Sequence, residues 1–242
     1  MRTSRIYLDQ DLEGGANCHL PELAAHHVAT VLRMKTGEAL VLFNGRGGSY
    51  RAVISRMEKR SVEVTIGEHG PDNYESPLSI TLAQAVMRGQ HMDYALQKAV
   101  ELGVQRIVPL LCLHGNVKLD HEQQHHRHEH WHRIIISACE QCGRNRLPLL
   151  SLPLRLTDWV GTDHNELKLI LHPRDGVHLS SLQTVCNSLT LLAGPEGGFS
   201  DDEITIASRH GYQAITLGPR ILRAESAALV AIGVCQARWG DI

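Results

Sequence analysis

The sequence predicts an α/β protein in two parts, a small N-terminal β-barrel followed by a larger domain of alternating strands and helices. Three observations carry this reading. Ala39 to Ile66 is strand-like, with Val62, Val64 and Ile66 on one face. Gly67 to Pro77 (GEHGPDNYESP) is polar, holds two prolines and two glycines and has no apolar period, as a linker does. From Leu78 onward, strand-length apolar runs alternate with helical ones, which implies a parallel or mostly parallel sheet. The boundary is placed in the polar segment, giving domains 1–72 and 73–242.

In the first part the expected strands are Ala39 to Phe43, a turn at Asn44-Gly45, Tyr50 to Ile54, and Ser61 to Ile66. In the second, a strand over Leu78 to Val86 precedes a helix from about His91 to Leu102, stopped by Gly103, and a short strand near Ile107 to Leu111. A long helix starts after Asp120, a fair N-cap, carries Trp131, Ile134, Ile135 and Ala138 inward and ends before Gly143 and Pro148. Strands at Leu167 to Leu171 and Leu189 to Ala193 follow. Ser200 with Glu203 three residues on forms a capping box for a helix closed by Gly211. The last strand is Ala214 to Leu217 and the last helix runs from about Ala224 to Trp239.

Composition excludes several classes. The chain of 242 residues is 43% hydrophobic and 21% charged, which is neither disordered nor fibrous. A chain of this size buries about 70–75% of its unfolded surface. It has no apolar run long enough for a membrane span and no signal-peptide pattern at its start, so a cytoplasmic protein is expected. Six scattered cysteines read as reduced thiols, and Cys139-Glu140-Gln141-Cys142, running through helical sequence with no second pair, as incidental ones. Net charge is −2, against the basic excess usual for nucleic-acid binders, yet 19 of the 24 basic residues are arginine, the side chain suited to bidentate phosphate contacts.

Two loops fall where open α/β sheets place ligands, after the C-terminal ends of predicted strands. They are Gly194-Pro195-Glu196-Gly197-Gly198 and Gly218-Pro219-Arg220-Ile221-Leu222-Arg223. Glycine lets backbone amides approach a ligand and proline stiffens the turn. Neither loop has the Walker A or dinucleotide fingerprint, which argues against phosphoryl and hydride transfer. A ligand with an adenine ring, a ribose and an amino-acid tail suits such backbone contacts flanked by Ile221 and Leu222. His121, His125, His128 and His132 share one helical face, but no cysteine or carboxylate completes a compact cluster, so no metal is assigned.

The strings LQKAVELGVQRIVPL (Leu96 to Leu110), ACEQCGRNRLP (Ala138 to Pro148), LLAGPEGGFSDDE (Leu191 to Glu203) and LGPRILRAESAAL (Leu217 to Leu229) resemble the bacterial 16S ribosomal RNA uridine N3-methyltransferases of the SPOUT superfamily. RIYL (Arg5 to Leu8) and HHVATVLRMKTGEALVLFNGRGG (His26 to Gly48) resemble that family's PUA-like barrel, so the likeness spans nearly the whole chain. It implies a PUA-like RNA-binding β-barrel followed by a SPOUT α/β domain with a trefoil knot, and S-adenosylmethionine held in the knot loops. It also implies a homodimer, and 16S ribosomal RNA or the small ribosomal subunit as partner. Cys112-Leu113-His114 stands where the family commonly has a Ser-Glu-Arg-like string, and Ser226 where threonine is more usual.

Residue by residue, the resemblance assigns cofactor binding to Leu171, His172, Gly194, Glu196, Gly197, Gly198, Leu217, Gly218, Ile221, Leu222 and Ser226. Arg223 and Glu225 are the catalytic candidates. Arg223 sits beside the second loop as a fixed cation, and Glu225 is placed to orient it, to accept a proton or to compensate the helix dipole. Arg5, Arg33, Arg46, Arg51, Arg144 and Asn145 are the RNA-binding candidates; Arg144 and Asn145 could equally cap the long helix before them. Two other functions fit the same sequence: a related SPOUT methyltransferase acting on another RNA, and a non-catalytic RNA-binding ribosome assembly factor.

Overall fold

The computed structural model describes residues 3–58, 61–115, 117 and 119–242. The chain divides into two compact units, residues 1–75 with 136–147, and residues 76–135 with 148–242.

The first unit is built on a five-stranded sheet of β1 (Arg5–Tyr7), β2 (Asn17–His19), β3 (Ala39–Phe43), β4 (Ser49–Met57) and β5 (Val62–Gly70), in the order β1-β3-β4-β5-β2, with a short helix α1 (Glu22–His26) after β2. Only β1 and β3 run parallel; the other pairs are antiparallel. Alternation puts Ala52 and Ile54 of β4, and Val62, Val64 and Ile66 of β5, in a core with Ile6, Leu8, Leu40, Leu42 and Val28. β4 and β5 are longer than the sequence suggests because register shifts at Tyr50/Ala52 and Ile54/Arg56 let polar stretches stay paired. The three-residue strands β1 and β2 are too short to show a period.

Residues 136–147 close this unit with a buried polar network. The Arg144 guanidinium makes two bonds to the Glu75 carboxylate, from Nε to Oε1 at 3.0 Å and from Nη2 to Oε2 at 2.5 Å. Asn145 donates to the Asp72 carbonyl at 3.0 Å, while its own side-chain oxygen accepts from Arg5, whose guanidinium lies 5.0 Å from the Phe43 ring centroid. The sequence places Arg144 and Asn145 on the surface, as helix caps or RNA contacts. They are instead 3% and 2% exposed, because their polar groups complete one another and Glu75.

The second unit is an eight-stranded sheet in which every pairing is parallel. In chain order it contains β6 (Ser79–Ala85), α2 (Gln90–Glu101), β7 (Arg106–Leu111), α3 (His121–Cys142, whose last seven residues belong to the first unit), β8 (Leu149–Leu150), β9 (Leu154–Arg155), α4 (Leu156–Trp159), β10 (Leu167–Leu171), β11 (Val177–His178), β12 (Ser188–Ala193), α5 (Asp201–Arg209), β13 (Gln213–Thr216) and α6 (Ala224–Trp239). The main path is β11-β13-β10-β12-β6-β7-β8, with β9 paired to β7. β6, β10 and β12 read as near-continuous apolar runs because helices cover a parallel sheet on both faces.

Several polar groups inside this unit pair across its elements. Asn165 reaches the hydroxyls of Thr81 at 3.1 Å and Thr190 at 2.7 Å, spanning β6 and β12, and Tyr212 donates to Asp163 at 2.7 Å. Gln236 of α6 donates to the Leu102 carbonyl at 2.7 Å and accepts from Ser76 at 2.8 Å, locking α6 onto the end of α2. All six cysteines are free thiols. Cys139 and Cys142 lie in α3, and burial pushes the Cys139 thiol up to about 12, so it stays protonated and inert at neutral pH.

The Arg144–Glu75 pair sets a stability test. Glu75→Ala takes the Glu75 carboxylate away from a buried guanidinium, a loss of about 3–5 kcal/mol. Urea unfolding followed by circular dichroism should show that loss, and an unchanged midpoint would contradict the role given to the pair.

Candidate active site

β10 lies between β12 and β13 and is parallel to both, with Ile170 level with Leu192 on one side and Ala214 on the other. The chain therefore leaves three neighbouring strands at one edge of the sheet, and the segments after Leu171, Ala193 and Thr216 converge there. They enclose a cavity of about 660 Å³, within the range of small-molecule sites. Its wall is formed by Leu171 and His172, by Gly194 to Gly198, by Leu217, Gly218 and Arg220 to Glu225, and by His91 of α2.

The glycines are needed for specific reasons. A Cβ on Gly194 would stand 3.2 Å from the Phe199 ring, and one on Gly197 would stand 3.2 Å from both Cβ and the carbonyl oxygen of His114. Gly198 and Gly218 have φ of 72° and 110°, which L side chains rarely adopt. The glycine-rich loop is held from behind by Glu203, 6% exposed, in the capping box of α5. One carboxylate oxygen of Glu203 accepts from the Ser200 amide at 2.9 Å and the other from the Leu113 amide at 2.8 Å, so one buried charge ties the exits of β7 and β12 together. Burial, with this charge nearby, pushes the Cys112 thiol well above its ordinary range.

The lining is apolar at Leu171, Leu217, Ile221 and Leu222 and charged at Glu196, Arg220, Arg223 and Glu225. Ile221 is 70% exposed, an apolar surface that a ring system would cover. Arg223, exposed, immediately precedes α6. Glu225, in the first turn of that helix, is buried, and its Oε1 accepts from His91 Nδ1 at 3.0 Å. The second histidine in the wall is set differently: Nδ1 of His172 accepts the backbone N–H of Asp175 at 2.8 Å.

Every residue assigned to cofactor binding from the sequence lines this cavity except Ser226, which lies half-buried on the first turn of α6. Arg223 and Glu225 are both in the wall, but the partner of Glu225 is His91. Sequence reasoning missed His91, although it opens the helix after β6 at the same edge of the sheet and the strand-end rule covers it too. In the first unit Arg33, Arg46 and Arg51 are exposed, Arg33 with φ of 53° and Arg46 paired with Asp11, while Arg5 joins the internal network of Arg144 and Asn145. The histidines of α3 form no metal cluster among the described residues: His121 and His125 have ring centroids 4.6 Å apart, His128 and His132 stack at 6.4 Å, and His128 Nε2 is 3.2 Å from the Leu150 carbonyl.

Glycine-built loops on a parallel sheet edge, with an apolar floor and a charged rim, define a ligand-binding α/β domain of the enzyme type. Comparison with known proteins narrows this. Residues 74–236 match the model of the RNA methyltransferase domain family, and residues 20–67 that of the RNA methyltransferase PUA domain. Two Buchnera aphidicola proteins named ribosomal RNA small subunit methyltransferase E are 35% and 33% identical, covering 100% and 98% of this chain and 98% and 94% of their own length. Among solved structures, a Legionella pneumophila protein described as a methyltransferase and determined with bound cofactor SAM superposes with a TM-score of 0.97 at 44% identity. A ribosomal RNA small subunit methyltransferase E from Neisseria gonorrhoeae bound to S-adenosyl methionine superposes at 0.93 and 36%; both cover the whole of each chain. The chain belongs to the RNA methyltransferase family whose members carry the name ribosomal RNA small subunit methyltransferase E.

The cavity makes its own test. Gly197→Val pushes the loop off His114 and out of line with the two neighbouring loops. Calorimetry should then show S-adenosylmethionine binding lost, with the circular dichroism spectrum retained. Unchanged affinity would show that the loop is not part of the cofactor site.

Proposed function

We propose that this chain transfers a methyl group from S-adenosylmethionine to N3 of one uridine in the 16S ribosomal RNA of the small ribosomal subunit, acting in the cytoplasm as a homodimer and needing no metal. The observation that carries this is the three-loop cavity in a chain whose full-length relatives are named ribosomal RNA small subunit methyltransferase E. The residues fit the cofactor: the glycine loops admit backbone close to a ligand, Ile221 and Leu222 offer an apolar seat for an adenine, and Glu196 and Arg220 can meet a ribose and an amino-acid tail. When bound, the cofactor supplies an electrophilic methyl group on a sulfonium.

Domain 1–72, a closed PUA-like barrel in this reading, recognises RNA, with Arg33, Arg46 and Arg51 exposed for phosphate contacts and Arg5, Arg144 and Asn145 holding its frame. Domain 73–242 binds the cofactor and carries a trefoil knot and the dimer contact. No helix among the described residues is long and apolar enough to cross a membrane.

Uridine N3 carries a proton at neutral pH, so its in-plane lone pair becomes nucleophilic only as that proton leaves. Negative charge then spreads onto O2 and O4 of the ring. A cation held at the cavity rim stabilises this anion more than the neutral ring, which is the differential binding that lowers a barrier. Arg223 fills this role, with a guanidinium that stays charged throughout.

Arg223→Ala should leave S-adenosylmethionine affinity within a few-fold and cut single-turnover methylation of small ribosomal subunits by roughly a hundredfold, the scale of losing one transition-state donor. A variant as fast as the parent at saturating cofactor and RNA would remove Arg223 from base activation.

A further inference from the structure

We propose that His91 is the base that takes the N3 proton of the uridine, with Glu225 as the residue that positions it; this rests on the reading of the chain as a uridine N3-methyltransferase. Proton abstraction needs an acceptor lone pair facing the ligand, and the hydrogen bonds of the cavity decide which group has one. Its titratable and charged wall groups are His91, His172, Glu196, Arg220, Arg223 and Glu225. The arginines hold their protons. Glu225 is buried, with an oxygen already engaged by His91 at 3.0 Å.

The two histidines are fixed in opposite tautomers. Nδ1 of His172 accepts the Asp175 amide at 2.8 Å, so its neutral ring carries the proton on Nε2 and can only donate there. Nδ1 of His91 faces a carboxylate, which accepts only, so its proton sits on Nδ1 and Nε2 is left as the acceptor. The His91 side chain is 47% exposed while that of Glu225 is 11% exposed, so the ring stays open to a ligand on a carboxylate anchored in the protein. Glu196 is also a carboxylate in the wall, but it is exposed and no hydrogen bond among the described residues orients its side chain. An imidazole is also closer in basicity to the ionising group than a carboxylate, which favours it as base near neutral pH.

The step balances. The N3–H bond breaks and its proton passes to Nε2 of His91; the N3 lone pair forms the new bond to the methyl carbon, and the electron pair of the carbon–sulfur bond stays on sulfur, giving S-adenosylhomocysteine. The imidazolium is stabilised by the Glu225 carboxylate until water takes the proton after release. This is the base–orienter geometry of other imidazole catalysts, with the carboxylate reached from α6 and the histidine from α2.

Two measurements decide it. Nitrogen-15 NMR of the cofactor-free protein, with the His91 signals assigned by their loss in His91→Gln, should show the Nδ1-protonated neutral tautomer in the parent and a shift toward the Nε2-protonated form in Glu225→Gln; an Nε2-protonated ring in the parent overturns the assignment. Single-turnover methylation across pH should fall on the acid side in the parent as the base becomes protonated. His91→Gln should lose about a hundredfold or more in rate together with that acid limb, with S-adenosylmethionine affinity by calorimetry kept within a few-fold. A His91→Gln enzyme that reacts at the parental rate and keeps the acid limb overturns the role of His91 and leaves the proposed function standing. A parent that forms no 3-methyluridine overturns the function, and the base with it.

Discussion

The site depends on one constraint, the parallel pairing of Leu167–Leu171 on both of its edges. Because β10 has β12 on one side and β13 on the other, all running the same way, three chain segments must turn over the same rim. Antiparallel pairing on either side would send one loop to the opposite end of the sheet and remove one wall of the cavity. β12 is buried at five of its six positions and β10 at three of its five, and this apolar burial stabilises the arrangement at about 25 cal/mol per Å². The loops themselves are then free to be chosen for their ligand, with glycine where backbone must come close.

A few buried polar contacts convert that topology into a fixed shape. Glu203 joins the exits of β7 and β12, Asn165 joins β6 to β12, and Gln236 pins α6 to the end of α2. The last contact also matters for chemistry, because α2 brings His91 and α6 brings Glu225, and a slip of one helix against the other would break their hydrogen bond. Glu203 and Gln236 are buried and Asn165 is half-buried, each with its partner in place, and losing the partner of a buried polar group costs more than the bond itself adds.

Much of this was legible in the sequence, and the physical reasons for success and failure differ by residue. Strands Ala39–Phe43 and Leu167–Leu171 and the helix Ala224–Trp239 were read at their observed limits, since apolar runs and Gly or Pro punctuation mark them locally. The Ser200/Glu203 capping box was read as a helix start, but the second oxygen of Glu203, on Leu113 ninety positions away, has no local signature. Arg144 and Asn145 read as helix-cap or RNA-contact residues because their partners, Glu75, Asp72 and Arg5, are remote in sequence. His91 was passed over for the same reason: beside Gln90 and Met92 it is an ordinary helix residue, and only the fold brings Glu225 to it. The family resemblance supplied the cofactor and the substrate, which no periodicity could.

The most direct test of the whole account is the identity of the product. Small ribosomal subunits lacking the modification, incubated with purified protein and methyl-labelled S-adenosylmethionine and then digested to nucleosides, should carry the label in 3-methyluridine from 16S ribosomal RNA at one position. Label in a ribose 2′-O-methyl nucleoside or in another RNA would contradict the base-methylating assignment, and RNA that binds the protein without acquiring label would contradict catalysis itself.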